Sequence, residues 1–363
     1  MKVLSNVFES DILEITNDGK FPWDQLKTGT TLVTGATGLI GGILVRTLAI
    51  ANAKYDLEMQ IVAHGRNEDK LKTLTRECGV QSIVGDIRKP IPAEKLPVSI
   101  DYIIHCAAIT SSADMLAKPV DVLITSIEGT TNMLNIAKER NCKSFVFLST
   151  MEVYGQTELC EVKETNLGYL DLSNPRSSYP ESKRFCEALS VAYATQYGVP
   201  VKIARLSRTF GAGTPNNKDD TRVANQFARK ALAGENIELH TPGSSISNCC
   251  YTADAIRGLL TILLKGQNSE AYNVANPDAS MTIHEMAELV ANNVCGGSIK
   301  VVFKVPEDLQ KRGYAPDVGY TLNTDKIKAL GWEPKFGIED MYKRMLEDWR
   351  TNQNTLNDRK ERK

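Results

Sequence analysis

The sequence predicts an α/β protein: a doubly wound parallel sheet with a smaller C-terminal α+β lobe. Three observations carry this. Between residues 30 and 150, short apolar runs alternate with helical stretches. Those runs (TTLVT, MQIVAHG, VQSIVG, DYIIHCA and SFVFLST) are apolar throughout rather than at every second position, as strands covered on both faces are. After Arg205 the alternation gives way to RTFGAGTPNNKDDTR, a polar stretch rich in Gly, Pro and Asn that is longer than a scaffold connection needs.

In chain order, LIGGILVRTLAIANA, EDKLKTLTREC and the amphipathic IEGTTNMLNIAKERN are the helices between the first strands. SSYPESKRFCEALSVAYATQYG is a further helix, VPVKIARL a buried strand, and YTADAIRGLLTILL with AYNVANP returns to the sheet. The expected division is therefore an N-terminal appendage over 1–28 and a nucleotide-binding domain over 29–205, rejoined by 250–278. A substrate lobe covers 206–249 and 279–350, and a basic tail covers 351–363. GENIELHTPGSSIS and SIKVVFKVPEDLQKRGYAPD belong to the lobe.

Composition sets the outer limits. The chain has 363 residues, 42% hydrophobic and 24% charged, which is ordinary for a soluble globular protein. A formal net charge of -1 gives no whole-molecule field for nucleic acid or an anionic membrane, so neither is expected as a partner. The closing NDRKERK reads as a solvated tail. The 8 cysteines are scattered without a C-x-x-C pair, and Cys249-Cys250 are adjacent, a poor spacing for a disulfide or a zinc site. No metal is expected, and a reducing compartment is. With no long apolar span, and acids where a signal peptide needs an apolar core, a cytoplasmic location is expected.

The chemistry begins at Thr34-Gly35-Ala36-Thr37-Gly38-Leu39-Ile40-Gly41, directly after a strand and opening a helix. Glycines there permit a tight turn and let backbone N–H groups approach a pyrophosphate at the positive end of the helix. That context makes the sheet Rossmann-type and assigns Gly35, Thr37, Gly38, Leu39, Ile40 and Gly41 to a dinucleotide. An NAD site commonly places an acid at the end of the second strand for the ribose 2′-hydroxyl. This chain reads Ala63-His64-Gly65-Arg66-Asn67 instead. Arg66 suits a 2′-phosphate, so NADP(H) is favoured and NAD(H) is the alternative; otherwise Arg66 is a surface residue of the loop. Asp86, in VGDIR, is placed for the adenine amino group or is a turn residue.

Tyr179-Pro180-Glu181-Ser182-Lys183 puts a phenol and an ammonium on one helix face. A nearby cation is expected to lower the tyrosine pKa from its usual ~10, so that Tyr179 can give or take the proton that accompanies hydride transfer.

TGATGLIG, STMEVYG and YPESK together resemble the extended short-chain dehydrogenase/reductase family, in its nucleotide-sugar epimerase/dehydratase branch. GTTNMLNIAKE, ARLSRTFGAG, AYNVANP and LGWEPKFGIEDM extend the likeness over roughly residues 30–350. The resemblance implies a cofactor-holding domain and a lobe for a nucleoside-diphosphate sugar. It makes Thr150 the residue that orients the reacting hydroxyl or carbonyl, Tyr179 the acid/base, and Lys183 the holder of the nicotinamide ribose. Ile87 and Ala107 join the cofactor contacts. It also implies a homodimer through a four-helix interface, supplied here by IEGTTNMLNIAKE and SKRFCEALSVAYATQYG.

Two departures narrow the reaction. Dehydratases of this family carry an Asp-Glu pair after the threonine; here the pair is Met151-Glu152, and a thioether cannot donate a proton. A 4,6-dehydration is therefore disfavoured. Glu152 survives, as in family members that decarboxylate a nucleotide-linked uronic acid, and is either a base or polar contact or a rim carboxylate that happens to match. Met151 is expected to pack against substrate or cofactor as an apolar wall. Family members also carry an arginine four residues before the tyrosine of GSSISNCCYTAD; Ser247 stands there, which weakens the decarboxylase reading. Arg222 and Arg312 are the remaining candidates to clamp a pyrophosphate, with solvated side chains the alternative. Three readings follow: a redox-neutral epimerase-type enzyme first, an NADPH-dependent reductase of a keto sugar second, and a dinucleotide-binding regulator without turnover last.

Overall fold

In the computed structural model, which describes residues 6–19, 21–305 and 317–361, seven parallel strands form one central sheet. The first five are β1 (Thr30–Thr34), β2 (Gln60–Gly65), β3 (Gln81–Val84), β4 (Tyr102–His105) and β5 (Ser144–Thr150). The short β6 (Glu161–Val162) lies outside it, and β7 (Val201–Leu206) rejoins it. β8 (Arg208–Phe210), β9 (Ile237–Leu239) and β10 (Ile246–Tyr251) belong to the smaller lobe. β11 (Ala271–Val274) completes the central sheet, and β12 (Asn276–Thr282), β13 (Val301–Phe303) and β14 (Thr321–Leu322) complete the lobe.

The central order is β11-β7-β5-β4-β1-β2-β3. From β1 the chain winds outward through β2 to β3, then returns to β4 on the other side of β1 and winds outward again. The reversal opens a crevice beyond the carboxyl ends of β1 and β4, where α/β sheets bind ligands. The uniform apolarity of the strands has its cause here: all five residues of β1 are buried, with Leu32 packed into one face and Val33 into the other.

The helices are α1 (Asn6–Thr16), α2 (Leu39–Lys54), α3 (Glu68–Cys78), α4 (Ser112–Ala117), α5 (Pro119–Glu139) and α6 (Ser178–Tyr197). They continue with α7 (Val223–Ala233), α8 (Thr252–Lys265), α9 (Ile283–Leu289), α10 (Asp325–Lys328) and α11 (Ile338–Glu361). One sheet face is covered by α5 and α6 through Met133, Leu134 and Cys186. The other is covered by α2 and α8, against which α1 packs, and α11 packs on α1 and α7.

The stretch expected as an appendage thus supplies α1, whose Phe8, Ile12 and Ile15 enter the main core at helical spacing. Its buried Asp11 accepts hydrogen bonds from the Tyr251 hydroxyl and from Arg344, tying α1 to β10 and α11. All eight cysteines are free thiols. Among the described residues no helix is long and apolar enough to cross a membrane.

Candidate active site

The glycine turn joins β1 to α2. Gly35 has φ +66°, and a Cβ there would come within 2.9 Å of the Ala107 nitrogen just past β4. A Cβ on Gly41 would meet the Gly35 carbonyl at 2.4 Å, so the turn closes only with bare backbone at both positions. Gly38 is the N-cap of α2 and no side chain caps the helix, so the first-turn amides of Leu39, Ile40 and Gly41 form an anion site at its positive end. Thr37 reaches across to the end of β2 at Gly65. These residues fit a dinucleotide pyrophosphate. Beneath the turn, Thr34 Oγ1 lies 2.7 Å from His105 Nδ1 and accepts from the Ala107 amide at 3.3 Å, fixing β1 to the exit of β4. Burial pushes His105 down to about 3, so it serves as a neutral brace.

At the end of β2, Arg66 is exposed. His64 beside it is buried, and neither ring nitrogen has a hydrogen-bond partner among the described residues. Burial pushes its pKa down to about 4, with the Asp86 carboxylate opposing. Asp86 accepts from Arg88 Nε at 2.9 Å and Nη2 at 2.6 Å, and this pair holds its carboxyl below the usual range. Ile87 is buried under Gly129, and its carbonyl accepts from Asn132 at 2.9 Å. The acid nearest along the chain, Glu68, begins α3 and pairs with Lys72.

Thr150 is the last residue of β5 and Tyr179 lies in the first turn of α6, with the Thr150 hydroxyl close enough to the phenol to favour its ionised form. The Tyr179 ring packs on Met115, Val122 and Ile109, and only 7% of the residue is exposed. Lys183 donates to the Leu148 carbonyl at 2.7 Å, with its ammonium 4.6 Å from the centre of the Phe147 ring.

The expectation that Lys183 lowers the tyrosine pKa is corrected. The phenol is raised, first by burial and then by the Glu152 carboxylate, with the Thr150 hydroxyl and Arg176 only partly opposing. The shared helix face is present, but Lys183 is committed to the β5 carbonyl. Burial lowers its own pKa.

Glu152 is held by Arg176, which donates from Nη1 at 2.8 Å and Nη2 at 3.3 Å. The sequence reading missed Arg176; its only signal was an arginine three residues ahead of the tyrosine. It also missed the support under β5, where Arg205 pairs with buried Glu187 at 2.6 Å and donates to the Tyr154 hydroxyl at 3.1 Å.

Met151 packs inward with Tyr154, Val162, Ala275, Tyr320 and Leu322, and only 4% of it is left for any ligand. Arg222 is exposed and folded back onto Asp220, its Nε 3.0 Å from both carboxylate oxygens. Arg312 lies outside the described residues. Ser247 is buried, its Oγ 3.3 Å from Cys249 Sγ.

A glycine-cradled helix start on a switched parallel sheet, opening beside a tyrosine–threonine pair with a buried lysine, defines a dinucleotide-dependent oxidoreductase site. Residues 31–275 match the model of the NAD dependent epimerase/dehydratase family. The chain is 32% identical over 320 residues to UDP-glucuronic acid decarboxylase 5 of Arabidopsis thaliana, covering 88% of this chain and 89% of that protein. Among solved structures, a UDP-glucose 4-epimerase of Thermotoga maritima with UDP-glucose superposes with a TM-score of 0.74 at 24% identity, covering 89% of this chain and 99% of the other. A double mutant of a dTDP-glucose 4,6-dehydratase of Streptomyces venezuelae, with NAD bound, gives 0.72 at 25% identity, covering 89% and 98%. This chain belongs to the NAD-dependent epimerase/dehydratase family, as its motifs implied.

Proposed function

We propose that the protein oxidises a ring carbon of a nucleoside-diphosphate sugar and then reduces it again, with no net change in cofactor. The arrangement that carries this is the Thr150 hydroxyl at the end of β5 beside the buried Tyr179 phenol of α6, with Lys183 fixed on the same helix, where an alcohol or ketone can be held by both hydroxyls. When bound, the nicotinamide supplies hydride acceptance, hydride return and a positive charge. The chain does the rest. The glycine turn and the α2 amides hold the pyrophosphate, Thr150 orients the reacting oxygen, and Tyr179 exchanges its proton. Lys183, buried and tied to Leu148, fixes the floor on which the nicotinamide ribose rests. Arg66, at a strand end without a free acid, supports NADP(H) within a family described as NAD-dependent.

What happens while the ketone stands depends on the substrate. With a neutral sugar, turning the keto intermediate before reduction gives an epimer. With a hexuronate, a C4 ketone is β to the carboxylate, and carbon dioxide leaves. The likeness to UDP-glucuronic acid decarboxylases and the fixed Glu152–Arg176 pair favour this second outcome more than Met151 and Ser247 alone suggested. Both outcomes use the same cycle. Exposed Val120, Ile124 and Phe185 on α5 and α6 support a homodimer through these helices, and the free thiols support a reducing, cytoplasmic setting.

The test mixes protein and oxidised cofactor with UDP-glucuronic acid, UDP-glucose and other nucleotide sugars, following sugar products, carbon dioxide and nicotinamide absorbance. A changed sugar with unchanged absorbance is expected. Stoichiometric consumption of NADPH by a nucleotide-linked ketose would mark a net reductase and sink the proposal.

A further inference from the structure

We propose that Arg208 is the anion clamp of the substrate site, supplying from β8 the positive charge that Ser247 does not supply from β10. The inference rests on the nucleotide-sugar reading. β8 runs parallel beside β10, with Arg208 opposite Cys249. The guanidinium reaches back along β10, donating from Nη1 to the Ile246 carbonyl at 3.3 Å, so it lies alongside the residue that precedes Ser247. Ser247 itself is 2% exposed and turned toward Cys249, whereas Arg208 is exposed.

The neighbouring arginines are already occupied. Arg176 holds Glu152, Arg184 holds Glu181 and donates to the Val153 and Gly168 carbonyls, and Arg205 holds Glu187. Arg208 forms no ion pair among the described residues, and one carbonyl bond leaves most of its N–H fork open. β10, beside which Arg208 lies, is tied to the turn that carries Glu152: Asn248, next to Ser247, donates to the Tyr320 carbonyl at 2.9 Å, and Tyr320 packs edge-on to Tyr154 with ring centres 6.1 Å apart.

A planar fork with open donors matches an oxyanion that can accept two parallel bonds. A nucleoside-diphosphate sugar offers this chemistry at its pyrophosphate and, for a uronate, at its carboxylate. Arg208 is thus a substrate-binding residue distinct from Arg222, whose donors are folded onto Asp220.

The experiment titrates UDP, UDP-glucose and UDP-glucuronic acid into cofactor-loaded wild-type protein, Arg208→Gln and Arg208→Lys. Losing a charge-assisted pair is expected to weaken binding roughly 10- to 100-fold in the glutamine variant, with the lysine variant between. Weakening for all three ligands places the guanidinium on the pyrophosphate; weakening confined to UDP-glucuronic acid places it on the carboxylate. Unchanged cofactor affinity and melting temperature show that the fold is intact, and if the glutamine variant does not fold the lysine variant decides by the same comparison. Wild-type binding of UDP-sugars with no loss in the folded variants overturns the clamp and leaves the proposed function standing. A wild-type protein that binds neither these three ligands nor the corresponding dTDP, CDP and GDP sugars overturns both.

Discussion

Glu152 and Arg176 face each other as a two-bond ion pair, at 2.8 and 3.3 Å, beside the Tyr179 phenol. Both charges act on that phenol in opposite senses, the carboxylate raising its pKa and the guanidinium lowering it. The pair therefore sets both the position of the acid two residues past Thr150 and the proton affinity of the Tyr179 phenol. Arg176→Met leaves the half-buried carboxylate without its partner. It is expected to lower kcat about 10- to 100-fold, with cofactor affinity unchanged, by removing one charged hydrogen-bond pair. Steady-state kinetics with a cofactor titration checks this, and wild-type kcat in the variant would show the pair to be structural.

Tyr179→Phe keeps the ring that packs on Met115 and Val122 and removes only the hydroxyl. Turnover is expected to fall roughly 10²- to 10⁴-fold, the usual share of a positioned proton donor, while the dissociation constant for cofactor holds. A variant that turns over at the wild-type rate would move the chemistry to another group. Unchanged biological function without turnover would instead favour the regulatory reading.

The proposed role of Arg66 toward a 2′-phosphate is testable by comparing the two dinucleotides. β2 ends in Gly65-Arg66-Asn67 with no acid before Glu68, while Asp86 is paired with Arg88 and Glu68 with Lys72. NADPH is expected to bind more tightly than NADH, and Arg66→Ala to remove roughly 10- to 100-fold of NADPH affinity while sparing NADH. Tighter binding of NADH by the wild type would refute the 2′-phosphate role.

Much of this fold was legible because its signals are local. An apolar run between helices can be buried only in a parallel sheet, and the spacing of Gly35, Gly38 and Gly41 reflects contacts within one turn. The motifs also pointed to the end of β5 and the start of α6, which carry Thr150 and Tyr179. What stayed hidden depends on where distant segments meet. Nothing in YPESK shows that Lys183 would turn to Leu148 instead of the phenol, and nothing in NPRSSY shows that Arg176 would reach back to Glu152. The polar-looking start of the chain concealed α1, because its apolar stripe of Phe8, Ile12 and Ile15 is only one face of a short helix.

His64 makes stability depend on pH. Its folded-state pKa of about 4 lies below the ordinary 6.5. Below pH 6.5 the unfolded chain therefore takes up a proton that the native chain refuses, and stability falls as pH drops toward 4. Burial of this ring contributes a loss on the order of 3 kcal/mol across that window, and His105 adds a loss of the same sign. Denaturant midpoints at pH 7 and pH 5 are expected to differ by less in His64→Asn than in the wild type. An equal slope in both would remove His64 as a source of the pH dependence.

The outer faces of α5 and α6 carry Val120, Ile124 and Phe185, which are 68%, 38% and 50% exposed in the single chain. Val120 and Ile124 stand one helical turn apart on α5, and α6, which carries the exposed Phe185, packs directly against that helix. Pairing α5 and α6 with their copies in a second chain would bury apolar area that a monomer leaves in water, in the four-helix interface that the family resemblance implied. Light scattering is expected to give a dimer for the wild type. Phe185→Glu, which puts a charge on an exposed position of α6, is expected to give a folded monomer with its cofactor affinity intact, because Phe185 faces solvent while Tyr179 and Lys183 on the same helix are buried. A strict monomer in the wild type, or an undisturbed dimer in the variant, would show that α5 and α6 do not form the interface.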